Sequence, residues 1–341
     1  MTGDDRLRVL LIEPDRALGE PLAQALRRLG SEVVWFSGEA PAVPGVRHVP
    51  GRRHPEDLAA AGRGFDAAVD FAAHDLEAPA VVAAALRGRL GLLVQLGTWR
   101  IYEGAEDAPG CASPTPEASP GRPGMPVPCP EEASKRDGPC LDAEDGLWNR
   151  RAAGDYPATV LRLAELYGPG VALAREWHVV GRLRAGRHRM AVPDGGGQLL
   201  HRLYVDNAVH AVIAALDHPQ EADGHAFNVG DARVPTLREL CAGCAAAAGR
   251  PLDLLSVPRR VLDTHSPWAV SHPAVLDLCR IRQTTGYAQP VPPEEGLART
   301  VRWLMDLAAD DVLGALEPYW RRFGCGHDHA GEEAALAAWG A

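Results

Sequence analysis

The sequence is poor in lysine, in positive charge and in long apolar runs. It contains a single lysine, Lys135, and its acidic residues outnumber the basic ones to give a net charge of -10 at pH 7. This acidic balance argues against nucleic acid and anionic membranes as partners. No run of about 18 apolar residues occurs, so no membrane-spanning helix is predicted. The first residues include Asp4 and Asp5 and no apolar stretch, which predicts a cytoplasmic protein without a signal peptide.

The single lysine also excludes one catalytic arrangement. Glu131 stands four residues before Lys135, so the sequence Tyr-x-x-x-Lys occurs nowhere in the chain. In that arrangement the lysine lowers the pKa of a tyrosine that acts as general acid or base. An acid–base pair of this kind is therefore excluded.

Cysteines give little sign of disulfides or of a metal site. The seven cysteines follow no regular framework, which is typical of reduced thiols. Two patterns resemble parts of a zinc site, namely Cys241-x-x-Cys244 and the cluster at residues 325–329 that contains Cys325, His327, Asp328 and His329. No second pair with matching spacing accompanies the first, and we predict no bound metal.

Apolar runs alternate with helical patterns in the first part of the chain. Strands are predicted at residues 7–12, 33–36, 65–71 and 90–96, where continuous apolar runs are typical of strands buried on both faces. Helices are predicted at residues 20–29, 55–61 and 79–86. This alternation predicts an α/β fold with a Rossmann-like, doubly wound parallel sheet.

The middle of the chain contains a long segment of different composition. Residues 104–140 are rich in Pro, Gly and Ser, and such a loop is either functional or mobile. Regular structure is predicted to resume beyond it, with strands at 158–162 and 199–204, helices at 141–152, 172–184, 206–216 and 236–248, and a mostly helical tail from about 294.

Five motifs, taken in order, resemble the extended short-chain dehydrogenase/reductase superfamily, and more narrowly its NAD-dependent epimerase/dehydratase group. They are Val-Asp-Phe-Ala-Ala at 69–73, Gly-Thr-Trp-Arg-Ile-Tyr at 97–102, Leu-Arg leading to Tyr-Gly-Pro-Gly at 161–170, Tyr-Val-Asp-Asn at 204–207 and Phe-Asn-Val-Gly at 227–230. Each is weak alone, but their order and spacing cover nearly the whole chain.

The resemblance implies two interleaved domains and a site between them. Residues 1–170, completed by about 204–235, are expected to form a Rossmann-like nucleotide-binding domain, and residues 171–203 and 236–341 a smaller substrate-binding cap. A small-molecule substrate would bind in the cleft at the carboxyl ends of the strands. Because family members are often dimers, the helix at 141–152 is a candidate for a homodimer contact.

The cofactor turn departs from the family pattern. Where the family has Gly-x-x-Gly-x-x-Gly, this chain has Glu13, Arg16 and Gly19. Glu13 places a negative charge where a pyrophosphate would lie, whereas Arg16 could pair with a phosphate. The cofactor is therefore unknown, and NAD(P) is possible but disfavoured. If it binds, the expected contacts are Arg16, Gly19, Phe71, Ala72 and Ala73.

Two further cofactor contacts of the family are missing. The acid that holds the ribose after the second strand is replaced by Ser37 and Gly38, although Glu39 follows. The acid expected near the adenine is absent, since Arg52 follows Gly51. All these departures weaken dinucleotide binding.

The catalytic residues implied by the resemblance are only partly present. Thr98 matches the family's Ser/Thr, and Tyr102 follows it in the same motif. An alignment without gaps, which we prefer, places Cys140 at the Tyr position and Glu144 at the Lys position. A gapped alternative places Arg136 and Cys140 there instead. Cys140 faces the site in either case.

Candidate roles follow from these positions. Thr98 or Tyr102 would polarise a substrate oxygen, and Glu144 or His74, which follows a strand end, would move a proton. Cys140 beside Glu144 on one helical face would have a raised pKa, which suits an acid or an inert thiol. Turn capping, packing and solvent exposure are the structural alternatives for all five residues. His201 and Arg202 are weaker candidates.

Three functions of different classes remain open. The first is an enzyme without net redox chemistry that catalyses isomerisation, elimination or cyclisation next to a carbonyl. The second is an atypical NAD(P)-dependent reductase or epimerase whose substrate supplies its own proton. The third is a non-catalytic ligand-binding protein. We prefer the first, because both the hydride-side residues and the phosphate-loop glycines are lost.

Overall fold

The computed structural model describes residues 6–103, 105, 127–172, 174–262, 268, 275–308 and 329–339. Its strands are β1 (Arg8–Ile12), β2 (Glu32–Ser37), β3 (Arg47–Pro50), β4 (Phe65–Asp70), β5 (Leu90–Thr98), β6 (Ala158–Leu163), β7 (Glu165–Tyr167), β8 (Arg189–Pro193), β9 (Arg202–Tyr204), β10 (Ala226–Val229) and β11 (Asp253–Val257). Its longer helices are α1 (Arg16–Arg28), α2 (Pro55–Ala59), α3 (Glu77–Leu86), α4 (Pro139–Ala152), α5 (Trp177–Arg184) and α6 (Val205–Asp217) in the first part of the chain. They continue with α7 (Pro219–Ala222), α8 (Leu237–Ala248), α9 (Arg259–Leu262), α10 (Cys279–Thr285), α11 (Pro293–Asp306) and α12 (His329–Trp339).

Seven parallel strands form the central sheet, in the order β10-β6-β5-β4-β1-β2-β3. The predicted Rossmann-like α/β fold is thereby confirmed. Strand order reverses between β1 and β4, because the chain leaves β1 toward β2 on one side and reaches β4 on the other. In open α/β sheets, ligands bind outside the carboxyl ends at such a switch point.

Helices cover both faces of this sheet. On one face α1 and α6 pack against the side chains of Val9 and Leu11, and on the other α2, α3 and α4 pack against those of Leu10 and Ile12. Alternate residues of β1 thus enter opposite cores, as the period of two in a strand requires. This double burial explains the continuous apolar run in the sequence.

A smaller layer is built from the later elements. Strands β8 and β11 pair in parallel, β7 pairs with β9, and α5, α8 and α11 share a separate apolar cluster. Thr236 and Glu239 form a capping box at the start of α8, and Gly249 ends it in the left-handed conformation. After β9 the chain returns to the large sheet, where β10 pairs with β6.

Several boundaries differ from the sequence-based expectations. Helix α1 begins at Arg16 rather than near residue 20, because Asp15 caps it by accepting a hydrogen bond from Leu18 N at 2.7 Å. The short strands β3, β8 and β11 were not predicted. The helix expected at 172–184 covers only Trp177–Arg184.

The described part of the predicted long loop is packed rather than free. Lys135 forms an isolated β-bridge with Tyr102, and Arg136 Nε donates to Arg100 O at 2.8 Å. Cys129 in the same segment is fully buried. The rest of that loop, and Cys325, His327 and Asp328 of the C-terminal cluster, lie outside the described residues. Among the helices that are described, none combines the length and apolar character needed to cross a membrane.

Candidate functional site at the carboxyl edge of the sheet

An arginine spans the switch point between β1 and β4. Arg53 Nε donates to Glu13 Oε2 at 2.8 Å, and its Nη1 and Nη2 donate to the two oxygens of Asp70 at 2.9 and 2.5 Å. Glu13 follows β1, and Asp70 ends β4. The hydrogen bonds and charges of these carboxylates raise the pKa of Arg53 despite its burial. We call these three residues the switch-point bridge.

The turn after β1 is closed by its own side chains. Glu13 lies in the left-handed region with φ +47°, a conformation in which glycine is the usual residue. The carboxylate of Asp15 takes the amide of Leu18 in the first turn of α1. Free amides at a helix start, together with the helix dipole, are what normally hold a phosphate. Here the Asp15 carboxylate takes the amide of Leu18, and the Glu13 carboxylate beside the turn is bound to Arg53.

The five predicted cofactor contacts differ in exposure and in their hydrogen bonds. Arg16 is exposed and lies 3.6 Å from Glu39, which is also exposed. Gly19 is needed for packing, because a Cβ there would lie 2.6 Å from Pro14 Cβ. Phe71 N donates to Ile12 O, and Ala72 N donates to Asp70. Ala73 is buried, so Arg16 is the contact among these five that solvent reaches most freely.

A dinucleotide does not fit these residues in the usual way. Its pyrophosphate would meet Glu13 and Asp15, and Arg53 is already shared by two carboxylates, which leaves the exposed Arg16, 3.6 Å from Glu39, as the available cation of this turn. Anion binding would require this bridge to open and leave Asp70, which is 1% exposed, without its partner. We therefore derive no catalytic step through a nicotinamide.

Thr98 and Tyr102 lie in different environments. Thr98 ends β5, is half-buried and accepts a hydrogen bond from Arg100 N at 3.2 Å, which leaves its own proton for donation. Tyr102 is fully buried, donates to Asn228 Oδ1 at 2.6 Å and accepts from Arg162 at 2.8 Å. Burial raises the pKa of Tyr102 to about 12, and the opposing charge of Arg162 does not offset it.

Glu144 is the counter-ion of a buried arginine. Arg162 Nε donates to Glu144 Oε2 at 3.0 Å, and Nη2 donates to Oε1. Trp148 also reaches Oε1 at 3.4 Å. Both side chains are almost completely buried. A proton-transfer role for Glu144 would require this ion pair to break, which is costly in a dry interior.

The remaining predicted residues do not converge with Glu144. Cys140 is exposed in the first turn of α4, whereas Glu144 one turn later is buried, so the proposed thiol–carboxylate pair does not share one environment. His74 is exposed beyond β4. Within the described residues, no group of three or more His, Cys, Asp or Glu side chains is arranged to hold a metal.

His201 is buried and serves the structure. Leu276 N donates to its Nδ1 at 2.8 Å, which leaves Nε2 to donate to Asp231 O at 2.8 Å. These two bonds fix the neutral tautomer. Burial lowers the pKa of His201 to about 4, with a further contribution from the charge of Arg282.

A cluster of charged residues lies just beyond β5 and β6, and of its members sequence reasoning named Arg202 alone as a candidate. Glu165 attracts three arginines, with Arg175 at 2.9 Å and Arg100 at 3.5 Å, and Arg202 is paired with Glu176 at 2.8 Å. Burial disfavours the charge of Glu165, but the arginines hold its pKa below the usual value. Glu165 lies inside the motif at 161–170, which was the available signal.

Comparison with known proteins agrees with this architecture. The family described as "NAD dependent epimerase/dehydratase family" matches residues 56–230, about half of the chain. The chain belongs to this family. Membership confirms the resemblance in the sequence and gives the chain the scaffold of the epimerases and dehydratases. The match begins after the β1 turn, so it does not extend over Glu13, Arg16 and Gly19.

Two curated relatives of this family member are similar over limited stretches. A 3-diazoavenalumate denitrifying reductase from Streptomyces sp is 36% identical over 89 residues, which are 26% of this chain and 28% of that protein. The uncharacterized protein YbjS of Escherichia coli (strain K12) is 26% identical over 175 residues, 43% of this chain and 50% of that protein. The alignments thus span half or less of each relative.

Solved structures show the shared fold at low identity. MoeE5 in complex with UDP-glucose and NAD is 17% identical with a TM-score of 0.66 and covers 87% of this chain and 98% of its own. The UDP-glucuronic acid 4-epimerase of Bacillus cereus in complex with NAD is 14% identical with a TM-score of 0.67, covering 89% and 97%. The epimerase Mth375 of Methanothermobacter thermautotrophicus is 17% identical with a TM-score of 0.67, covering 89% and 93%.

Proposed function

We propose that this family member is an enzyme that converts a small carbonyl compound without net redox chemistry and without a dinucleotide in the phosphate turn. The observation that carries the proposal is the switch-point bridge of Glu13, Arg53 and Asp70, which takes the place through which the cofactor would pass. The absence of a Tyr-x-x-x-Lys pair supports the same conclusion.

Isomerisation next to a carbonyl suits the groups at the ends of β4 and β5. Thr98 has a hydroxyl proton to donate, because its oxygen accepts from the backbone N–H of Arg100. This hydroxyl would stabilise the oxyanion that forms when a proton leaves the neighbouring carbon. Asp70 of β4 is paired with Gln95 of β5. His74 follows Asp70 by four residues and Thr98 follows Gln95 by three, so both residues come shortly after this paired position. His74 would take the proton and return it to another carbon.

Cofactor content tests the proposal first. We would denature the freshly purified protein, identify any released nucleotide by mass spectrometry, and titrate NADH and NADPH by calorimetry. We expect no nucleotide and no heat at millimolar cofactor. Bound nicotinamide, or a dissociation constant in the micromolar range, would overturn the non-redox function.

Proton exchange tests the chemistry directly. Carbonyl compounds incubated with the protein in D₂O should gain deuterium next to the carbonyl when a substrate is present, and NMR detects this without knowledge of the product. The His74→Gln and Thr98→Ala variants should lose the exchange while keeping the fold. Exchange at an unchanged rate in both variants would remove these residues from the reaction.

An atypical reductase is the second candidate, and the similarity to a denitrifying reductase favours it. When a diazonium carbon accepts hydride (R–N₂⁺ + H⁻ → R–H + N₂), N₂ leaves with the electrons of the carbon–nitrogen bond, and neither an alkoxide nor a carbanion is formed. A general-acid tyrosine is then not needed, which agrees with the missing pair. This candidate requires the switch-point bridge to open, so the Glu13→Gly variant should bind NADH or NADPH more tightly than the native protein. If neither form binds, the reductase is excluded.

A further inference from the structure

A cavity lies between α8 and α11, apart from the groups assigned above. Its volume is about 500 Å³, within the range of small-molecule pockets. Neither Thr98 nor His74 lines it. Its walls are apolar and come from both helices, namely from Leu240, Ala246, Ala247, Leu297 and Ala298. These walls offer a ligand contact with apolar surface and few polar partners.

The inner end of the cavity is polar and almost inaccessible to solvent. It is lined by Tyr167, Glu176, Arg202 and Asp231. Asp231 is already satisfied, because its carboxylate accepts hydrogen bonds from two side chains and one backbone amide, those of Tyr167, Asn207 and Tyr204. A ligand that enters between the helices would therefore meet Glu176 and Arg202 as the groups with hydrogen-bonding capacity to spare.

Glu176 and Arg202 form an ion pair that leaves some of their polar atoms without partners. Arg202 Nη2 lies 2.8 Å from Glu176 Oε1. Among the described residues, Nε and Nη1 of Arg202 have no acceptor, and Oε2 of Glu176 has no donor. The two residues are 4% and 0% exposed, and buried polar groups are seldom left in this condition. The pair thus offers N–H donors and a carboxylate acceptor next to each other.

The charges at and behind this end of the cavity balance. The cluster contains three arginines and three carboxylates, namely Arg100, Arg175 and Arg202 with Glu165, Glu176 and Asp231. A charged head group would leave one charge without a counter-ion in a buried place, which is costly. A neutral head group that accepts from Arg202 and donates to Glu176 would satisfy the atoms without partners and keep the ion pair intact.

The charged residues at the mouth of the cavity are exposed. Glu239 and Glu294 both bind Arg233, and the side chains of all three are at least half exposed. Solvent and salt screen such charges, so they have little influence on a head group at the buried end. The choice of ligand is therefore made by Glu176 and Arg202.

From these observations we infer that the cavity between α8 and α11 binds a small neutral molecule with an apolar body and a carboxamide head. The carbonyl oxygen of the amide accepts from Arg202, and its N–H donates to Glu176 Oε2. The apolar body lies against the leucines and alanines of the two helices. An amide carries an acceptor and a donor close together, as the two groups without partners require. The inference concerns a site other than the proposed reaction centre and stands whichever function that centre has.

Three ligands of similar shape and different charge test the inference. We would titrate 3-phenylpropanamide, 3-phenylpropanoate and 3-phenylpropylamine into the full chain by calorimetry. The native protein should bind the amide at least about tenfold more tightly than either charged ligand. Equal or tighter binding of the acid or the amine would overturn the inference, as would no binding of the amide at millimolar concentration.

Two variants should shift this preference in opposite directions. Glu176→Gln removes one negative charge from the balanced cluster, so the acid should become the preferred ligand. Arg202→Met removes one positive charge, so the amine should become the preferred ligand. Glu294→Gln at the exposed mouth is the control and should keep the preference for the amide. A preference for the amide that both buried variants retain would overturn the inference, because the head group then lies elsewhere.

A further variant tests the site without a change in the buried cluster. Ala247 is an exposed residue of α8 in the cavity wall. Ala247→Leu should therefore narrow the cavity and weaken amide binding at least about tenfold while circular dichroism shows an unchanged fold. Ala152→Leu is the matched control, because this alanine is exposed on α4 outside the cavity. Amide binding that Ala247→Leu leaves unchanged would overturn the inference.

Discussion

Arg53 and Asp70 form a two-point ion pair across the carboxyl edge of the sheet. The two contacts measure 2.9 and 2.5 Å, and the carboxylate is 1% exposed. Because the same guanidinium also holds Glu13, one side chain ties the loop before α2 to the ends of β1 and β4. The family is named for its nicotinamide cofactor, whereas at this switch point the Arg53 side chain links two strand ends to a loop and so stabilises the fold.

Removal of Arg53 should destabilise the fold. The Arg53→Met variant leaves the buried carboxylate of Asp70 without its cation, and an unpaired buried charge costs about 3–5 kcal/mol. Urea unfolding followed by circular dichroism measures the change in free energy. Arg52→Met is the matched control, because Arg52 is the exposed neighbour. Equal stability of the two variants would show that the switch-point bridge does not contribute to the fold.

The pair of Glu144 and Arg162 should behave as one unit. Glu144→Leu leaves the guanidinium of Arg162 without its counter-ion and should cost about 3 kcal/mol. Replacing both residues, as Glu144→Leu with Arg162→Met, should cost less than the sum of the single changes, since no charge is then left buried. Equilibrium unfolding of the four proteins in this cycle gives the coupling energy.

Asp145→Asn is the control for that cycle, because this carboxylate is exposed on the same helix. Its unfolding free energy should match that of the native protein within about 0.5 kcal/mol. Strict additivity of Glu144 and Arg162 would contradict the structure. It would also return Glu144 to the list of free carboxylates that can exchange a proton with substrate.

The sequence was sufficient for five strands of the large sheet, β1, β2, β4, β5 and β6, but not for its edge strands β3 and β10 or for the bridge of Arg53 at its carboxyl edge. Strands β1, β4, β5 and β6 are apolar runs covered on both faces, so local composition alone identifies them. Arg53 lies in a loop with no periodic pattern, and its partners Glu13 and Asp70 are 40 and 17 residues away. Contacts of this range depend on the completed fold and leave no local signal.

In the candidate site, too, the positions of residues could be predicted from the sequence, whereas their long-range contacts could not. Thr98 is found by its motif because a strand end fixes its position. Glu144 lies on the helix that was predicted at 141–152, but its burial against Arg162 comes from the packing of α4 on β6 and could not be derived from spacing. Strand β8 was missed because Pro193 ends it after three apolar residues, and β11 because Asp253 and Ser256 interrupt its apolar run.

Glu332 should hold the last described helix in place. It is fully buried, accepts from Ala191 N at 2.6 Å and pairs with Arg182. Glu332→Ala removes the carboxylate that accepts from Ala191 N and that partly neutralises the charge of Arg182. Helix α12 should therefore detach and be cut early in limited proteolysis. Glu333→Ala is the control, because that neighbour is 57% exposed and pairs with Arg187 at the surface. Similar digestion of both variants would mean that α12 is held by its apolar contacts alone.

His201 should make stability fall on mild acidification. Its pKa in the folded protein is lowered to about 4, mainly by burial, so the unfolded chain binds the extra proton first as the pH falls. The contribution of neutral His201 is fully present above the unfolded value of about 6.5 and is lost as the pH falls toward 4. Between pH 7.5 and 5.0 this amounts to about 2 kcal/mol. Urea unfolding at both pH values should show a drop that is smaller by that amount in His201→Gln, while the exposed His74→Gln keeps the native drop. Identical pH dependence in native protein and His201→Gln would contradict the buried neutral tautomer held between Leu276 and Asp231.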